Sequence, residues 1–434
     1  MHRSTGSLAV EPLLAPPDAT LVLPGSKSLT NRALVAAATA GGRSVLRGAL
    51  VAEDTMAMVG ALRALGVEVE VAGAAGAMEV AGTGGSIAAG PLRLDARQSG
   101  TTARFLLPLL AAGAGPYRLD GDPQLRRRPM GPALEALRTL GAEVSEEGGA
   151  GQLPVVITGP ATGGAVGISG DVSSQFLSGL LLAGPHLRRG LEVELTTPVV
   201  SAPFVALTVA VMGDFGVGVE VDGRRYRVAP DRYQAADYTV EPDATAASYF
   251  FAAAAITGGR VRVEGLGRRA LQGDLAFVDL LERMGAEVRR EEHATEVVGR
   301  GTLHGIEADL SDLTDTAQTL AAVAVFADSP TRVTGIGFIR AKETDRIAAV
   351  VRELRRCGVE ATEEQDGFTV APGSPHPTEV QTYDDHRMAM SFALLGLRVP
   401  GIVISNPGCV AKTYPSYFAD LDRLRRPAGS VGGR

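Results

Sequence analysis

Lysine occurs at only three positions in this 434-residue chain, Lys27, Lys342 and Lys412, against 39 arginines. A coding bias toward Arg, Ala and Gly explains the general scarcity but not the three survivors. Arginine is a wide planar fork that stays charged; lysine is a compact point charge that can lose its proton when its surroundings favour it. A site that must hold anions and also move protons has a reason to keep lysine. Lys27 lies in 24-PGSKSLTNRA-33, where Pro and Gly make a turn, Ser26 or Ser28 can cap, and a helix follows. Backbone N–H groups at such a start attract anions, and Lys27, Ser28 and Arg32 would reinforce them. The P-loop pattern is absent. Lys342 lies in 340-RAKETDRI-347, which crowds Glu343, Asp345 and Arg346 at a second helix entrance, and Lys412 lies in 408-GCVAKT-413.

Other polar clusters share this grammar. The run 98-QSGTTAR-104 is a Gly/Thr turn before a helix, and 170-GDVSSQF-176 sets Ser173, Ser174 and Gln175 before an apolar helix. Three arginines stand together in 122-DPQLRRRPMG-131. Asp315 sits at the polar edge of 309-DLSDLTDTAQ-318, and 383-YDDHRMAM-390 holds His386 and Arg387. Each has a plainer reading. The arginine run suits a solvated face equally well, Asp315 and the serines suit caps, and residues 342–346 suit local ion pairing. Asp-x-His lacks the partner Cys or His residues of a metal set. Together, these eight clusters, most of them carrying Arg or Lys, in a chain of net charge −7 point to a small ligand bearing several phosphates or carboxylates.

The elements that position these clusters repeat. Three apolar residues spaced by three, then Gly, recur as Val59-Leu62-Leu65-Gly66, Leu134-Leu137-Leu140-Gly141, Val209-Met212-Phe215-Gly216, Val278-Leu281-Met284-Gly285 and Val351-Leu354-Cys357-Gly358. The glycines are 75, 75, 69 and 73 residues apart. The spacing predicts a helix stripe, a left-handed Gly at C′, and then a strand with one wet face, as in GVEV and GAEV. A period of about 70 residues is too long for a solenoid and suits a compact α/β unit used about six times. The sixth copy is expected from the segment after residue 380 joined by the N-terminal strand before residue 24. Cys357 falls on a core stripe and reads as a small buried hydrophobe.

Composition narrows the class. The chain is 45% hydrophobic and 21% charged, as in a globular protein with a sizeable core. Its acidic balance argues against nucleic-acid binding. No apolar run is long enough to span a membrane, and the N-terminus lacks a signal-peptide core. Two cysteines cannot build a disulfide framework, so a reducing cytoplasm is expected.

LPGSKSLTNRA, GTTAR, RRP, GDVSSQF, KETDR, YDDHRMAM and CVAKT, in this order along the whole chain, resemble the 5-enolpyruvylshikimate-3-phosphate synthase family. The resemblance implies a two-lobed inside-out α/β barrel, each lobe built of three α/β units and joined by two crossover strands. One lobe would be residues 1–24 with 242–434, carrying Asp315, Lys342, Glu343, Arg346, His386, Arg387 and Lys412. Residues 25–241 would form the other, carrying Lys27, Arg32, Arg128, Ser173, Ser174 and Gln175. The implied reaction moves the enolpyruvyl group of phosphoenolpyruvate to the 5-hydroxyl of shikimate 3-phosphate and releases phosphate, by way of a non-covalent tetrahedral intermediate.

By motif, Ser28, Arg32, Ser173, Ser174, Ser201 and Lys342 would hold shikimate 3-phosphate, with Asp315 at its 5-hydroxyl. Gly100, Arg128, Arg346, Arg387 and Lys412 would hold phosphoenolpyruvate, and Lys27 and Gln175 would touch both. Asp315 would accept the hydroxyl proton and Glu343 would serve the methylene carbon, with Lys27, Lys412 and His386 in the catalytic set. The three lysines are thus expected to converge on the ligands. No metal or organic cofactor is expected, and the family suggests a cytoplasmic monomer whose lobes close on substrate.

The chain departs from the family pattern at Gln98 and Phe338, usually Asn, at Phe105, often Pro, and at Phe204, usually Tyr. A rival on the same fold is UDP-N-acetylglucosamine enolpyruvyl transferase, which carries a loop cysteine and a Lys-Asn pair where this chain has Lys27-Ser28. A second is a non-catalytic sugar-phosphate-binding protein; the presence of both Asp315 and Glu343 argues against it.

Overall fold

The computed structural model of the chain describes residues 6–72 and 76–425. The chain divides into two compact units, residues 24–241 and residues 1–23 with 242–434. The break lies between Leu23 and Pro24, one residue before the expected boundary. Each unit has its own apolar core.

The described residues form six sheets, and one plan serves five of them. In the strands Leu92–Asp95, Tyr117–Asp120, Val155–Thr158 and Glu143–Glu146, the first two are parallel and the remaining pairings antiparallel, in that spatial order. A parallel pair needs a crossover, and the helix Gly100–Ala112 supplies it. A second helix, Gly131–Thr139, then leads to the antiparallel hairpin. The same plan holds around Val193 and Val45 in this unit, and around Val261 and Val333 in the other. Two sheets borrow their parallel edge strand from far along the chain: Asp237–Thr239 beside Gly41–Arg47, and Asp18–Leu21 beside Arg260–Glu264. The sixth sheet has three strands, with Ser7–Val10 pairing antiparallel to Ile402–Ser405 and Thr378–Val380 on its other side. All six are open sheets with two edges, so none by itself closes into the expected barrel.

The glycine punctuation has a physical basis at all five positions. Gly66, Gly141, Gly216, Gly285 and Gly358 have φ between 82° and 111°. Each closes the same paired hydrogen bonds. At the first, Gly66 N–H donates to Arg63 O and Val67 N–H to Leu62 O; at the last, Gly358 donates to Arg355 and Val359 to Leu354. This is the Schellman arrangement, which satisfies the last carbonyls of the helix and turns the chain into the strand.

The crossover helices are the other half of each repeat. In the unit 24–241 they are Lys27–Thr39, Gly100–Ala112 and Ser174–Ala183; in the other they are Ala244–Thr257, Ala317–Ala324 and His386–Gly396. They are buried almost all round, and within each unit they pack against one another. Pro108 lies inside Gly100–Ala112 and cannot donate to Arg104 O. Gly179 packs against that carbonyl so closely that a Cβ there would lie 2.4 Å from it. The close approach brings the first turns of these two helices within side-chain reach.

Candidate functional site: two clusters at crossover-helix entrances

The sequence clusters fall mainly at the first turns of the crossover helices. Ser26, Ser99, Ser173, Asp243 and Asp385 are their N-caps, each accepting a backbone N–H of the first turn. With the cap filled, the next residues are left to face other partners.

In the unit 24–241, Lys27 Nζ lies 3.3 Å from Asp54 Oδ2, and Asp54 is buried. Arg32 is 1% exposed and wholly engaged with neutral oxygens: Thr208 Oγ1 at 2.7 Å, Ser28 O at 3.0 Å, Phe204 O at 2.9 Å and Ser178 Oγ at 3.2 Å. Its guanidinium also stands 5.1 Å from the Phe105 ring centroid. Burial lowers its pKa to about 9, which leaves it cationic at neutral pH. Gln175 is fixed at both ends of its amide, accepting from Arg104 Nη1 at 2.8 Å and donating to Thr101 Oγ1 at 3.2 Å. Arg104 reaches Pro129 O as well and lies over the Phe176 ring.

The arginine run splits. Arg126 is exposed and forks onto Asp120, Arg127 is exposed, and Arg128 turns inward and is buried. Gly100 makes room for it: a Cβ at Gly100 would lie 2.5 Å from Arg128 Nη1. Ser173, Ser174 and Ser201 are buried beside these groups in sequence, and Ser201 holds φ of 53°, a strained value for a non-glycine residue.

In the other unit, Arg346 is the hub. Its Nε meets Asp385 Oδ2 at 2.8 Å, its Nη2 meets Glu343 Oε2 at 2.8 Å, and its Nη1 meets Asp315 Oδ1 at 3.2 Å. Asp315 Oδ2 accepts from Arg387 Nη2 at 2.6 Å, and Glu343 Oε1 lies 3.1 Å from Lys412 Nζ. Three cations and three carboxylates thus alternate in one lattice. Its arginines are held above their ordinary pKa by the surrounding acids, against the opposing effect of burial. Asp315 is no cap; it sits in the turn Thr314–Thr316 with its carboxylate turned to the arginines. Local pairing in 342–346 does occur, between Glu343 and Arg346, but Arg346 also reaches two distant acids.

Lys342 stands with its ammonium 5.6 Å from the Phe338 ring centroid. His386, 1% exposed, opens its helix with Nδ1 3.6 Å from Asp385 Oδ1. Tyr383 and Asp384, just before this cap, both have positive φ near 55°. Cys357 is buried with its thiol pushed up to about 11, and Cys409 is buried too.

Three residues of these clusters were not assigned from sequence: Asp385, Asp54 and Arg104. Asp385 and Arg104 lie inside recognised motifs, where a cap or a helix residue was the ready explanation. Asp54 has no local signal, because its partner Lys27 lies on a different helix of the same repeat.

The fold and clusters define a two-unit α/β protein of six sheets with buried cation clusters at helix entrances. A family model described as EPSP synthase (3-phosphoshikimate 1-carboxyvinyltransferase) matches residues 15–421. A protein of Nostoc punctiforme named 3-phosphoshikimate 1-carboxyvinyltransferase is 46% identical over 95% of this chain and 97% of its own. One of that name from Methanoculleus marisnigri is 42% identical over 94% and 96%. An EPSP synthase structure from Acinetobacter baumannii superimposes with a TM-score of 0.83 at 28% identity, covering 97% of this chain and 98% of that one. The enolpyruvyl transferase NikO from Streptomyces tendae, at 20% identity and TM-score 0.77, shares the fold. The chain belongs to the EPSP synthase family.

Proposed function

We propose that the chain is a 3-phosphoshikimate 1-carboxyvinyltransferase: it transfers the enolpyruvyl group of phosphoenolpyruvate to the 5-hydroxyl of shikimate 3-phosphate and releases phosphate. Family membership and the names of the relatives support this reading. The observation that carries it is the acid–cation lattice, in which Asp315 is held by two arginines and Glu343 by Arg346 and Lys412. Two acids under shared cations suit a reaction in which an oxygen loses a proton while a carbon gains one.

The roles we propose are those the family motifs imply, and the contacts above are compatible with them. Lys27, Ser28, Arg32, Ser173, Ser174, Gln175, Ser201 and Lys342 hold shikimate 3-phosphate. Gly100, by its missing side chain, leaves Arg128 room to meet phosphoenolpyruvate, together with Lys27, Gln175, Arg346, Arg387 and Lys412. Asp315 takes the proton of the 5-hydroxyl as the oxygen attacks C2. The methylene carbon C3 becomes a methyl group with a proton delivered from the Glu343–Lys412 pair. The tetrahedral adduct then loses phosphate from C2 and a proton from the methyl group, restoring the double bond. His386, buried beside Asp385, completes the catalytic set that the family motif implies. Nothing in these steps calls for a metal or organic cofactor, and we read the chain as a cytoplasmic monomer.

The test is phosphate release by the purified chain with both substrates and with each omitted. Release only when both are present, with the enolpyruvyl ether formed in equal amount, is expected. Release with UDP-N-acetylglucosamine as the only acceptor, or none with shikimate 3-phosphate, overturns the reading.

A further inference from the structure

Asp274 belongs to none of the motifs above. It lies in the turn Gly273–Ala276 and is 4% exposed. Its Oδ2 accepts a hydrogen bond from Thr245 Oγ1, while its Oδ1 is buried with no hydrogen-bond partner. Thr245 stands in the first turn of the helix Ala244–Thr257. One turn on, at i+4 and so on the same face, Tyr249 places its hydroxyl 3.4 Å from Arg387 Nη1. Asp274 and Arg387 therefore meet the same helix through side chains one turn apart, and each acts on the other's charge. Arg387 Nε is likewise buried without a hydrogen-bond partner. A buried acceptor on an acid and a buried donor on a guanidinium thus lie on one face, and the same guanidinium holds Asp315 through Nη2 at 2.6 Å.

Asp315 and Asp243 oppose the ionisation of Asp274; Arg387 and the Thr245 hydroxyl favour it. The adjoining helix Phe277–Arg283 contributes Asp279, which pairs with Arg290.

We propose that Asp274 is a positioning residue for the reaction: once ionised, it shares the positive charge of Arg387 with Asp315 and so makes Asp315 a stronger proton acceptor. This rests on the reading of Asp315 as the base. Burial first, and Asp315 next, raise the Asp274 carboxyl to about 7, so its charge changes in the working range. Its proton exchanges with solvent between turnovers and does not enter the product. The sign is fixed. Below about pH 7 Asp274 is neutral and Arg387 belongs to Asp315; above it, Arg387 is shared and turnover rises. Stability moves the other way. The folded chain holds this proton above the carboxylate's ordinary value of 3.8, so stability falls as pH rises from about 4 to about 7.

The experiment measures kcat and both KM values from pH 5.5 to 9 for wild type, Asp274→Asn and Thr245→Val, with melting temperatures over the same range. Wild type is expected to show a rise in kcat centred near pH 7. Asp274→Asn should lose that rise and turn over about tenfold more slowly at pH 8.5, short of the 10²–10⁴-fold loss of removing a base outright, with KM values within about threefold. Its melting temperature should no longer fall between pH 5.5 and 7. Thr245→Val removes a bond that favours the charged form, so the rise should move to higher pH. An inflection unchanged in both variants, or absent from wild type, overturns the proposal. An active wild type with these outcomes leaves the functional reading standing, whereas a wild type that releases no phosphate overturns both.

Discussion

Lys27 aside, which pairs with Asp54, the two units hold buried arginines in opposite ways. In the unit 24–241, Arg32 is surrounded by hydroxyls and carbonyls, and Arg104 bonds an amide and a carbonyl. In the other, Arg346, Arg387 and Lys412 are bonded to Asp315, Glu343 and Asp385. Neutral dipoles satisfy the geometry of a guanidinium without cancelling its charge, so the first cluster keeps a positive field for a phosphate or carboxylate. A lattice of paired charges is nearly neutral. It takes an anion only as a carboxylate lets go of its cation, and an acid released in this way can take a proton. The contrast assigns binding chiefly to the first cluster and proton transfer to the second.

Asp315→Asn is the sharpest test of that division. The amide keeps the shape and one acceptor but cannot take a proton, so kcat should fall by roughly 10²–10⁴-fold. The variant also removes one negative charge from between Arg346 and Arg387, so shikimate 3-phosphate and phosphoenolpyruvate should bind at least as tightly as before. Single-turnover phosphate release together with calorimetric titration separates the two. Weak binding with a normal rate per bound complex would make Asp315 a binding group and dissolve the contrast.

Charge-conserving Lys→Arg changes come next. Lys412 is 2% exposed with its ammonium against Glu343, and a planar fork in that space must displace its neighbours. We expect kcat/KM to fall by about 10²-fold in Lys412→Arg, a loss of roughly 3 kcal/mol of transition-state binding. Lys27, at 15% side-chain exposure, has more room and should lose less. Wild-type rates in both would mean that charge alone matters at these positions.

The first cluster has its own probe in Gly100→Ala. The added methyl would meet Arg128 Nη1, a flexible side-chain end that can shift. A displaced charge-assisted bond is worth about 1.5–3 kcal/mol, so KM for phosphoenolpyruvate should rise at least about tenfold. If this cluster only binds, kcat should stay within about threefold in initial-rate measurements. A loss confined to kcat would place Arg128 in the chemistry and blur the division.

How much of this could be read from residues alone depended on range. The five helix-ending glycines were legible because a left-handed C′ residue is a local demand, met by the same bonds at Gly66 and at Gly358. The caps at Ser26 and Ser173 were legible for the same reason. The sixth sheet had no such punctuation, since one of its three strands comes from the other end of the chain. The lattice was half legible. Its cations stood out by type and its motifs by resemblance, but the choice of Asp385 as the partner of Arg346 is made only when two crossover-helix repeats pack. Asp274 was invisible, because a lone acid in a turn means nothing until burial sets its surroundings.

The smallest expected effect concerns the lysine whose neighbour is an aromatic ring. Lys342 lies over Phe338, where the family usually has Asn, and Arg32 lies over Phe105, where it often has Pro. At both places the chain sets a ring face beside a cation of the proposed shikimate 3-phosphate set. A ring orients a cation without neutralising it. Phe338→Asn should therefore leave proton transfer alone and act on binding. A partly exposed cation–π contact is worth about 0.5–1 kcal/mol, so removing it should change the KM for shikimate 3-phosphate by about two- to fivefold. The direction depends on what the amide does. If it only frees the ammonium, KM rises; if it donates to the ligand, KM falls. In either case kcat and the pH dependence of kcat should match wild type. A kcat change larger than the KM change would tie Lys342 to the proton-transfer lattice, and the line between binding and chemistry would then run through this unit rather than between the two clusters.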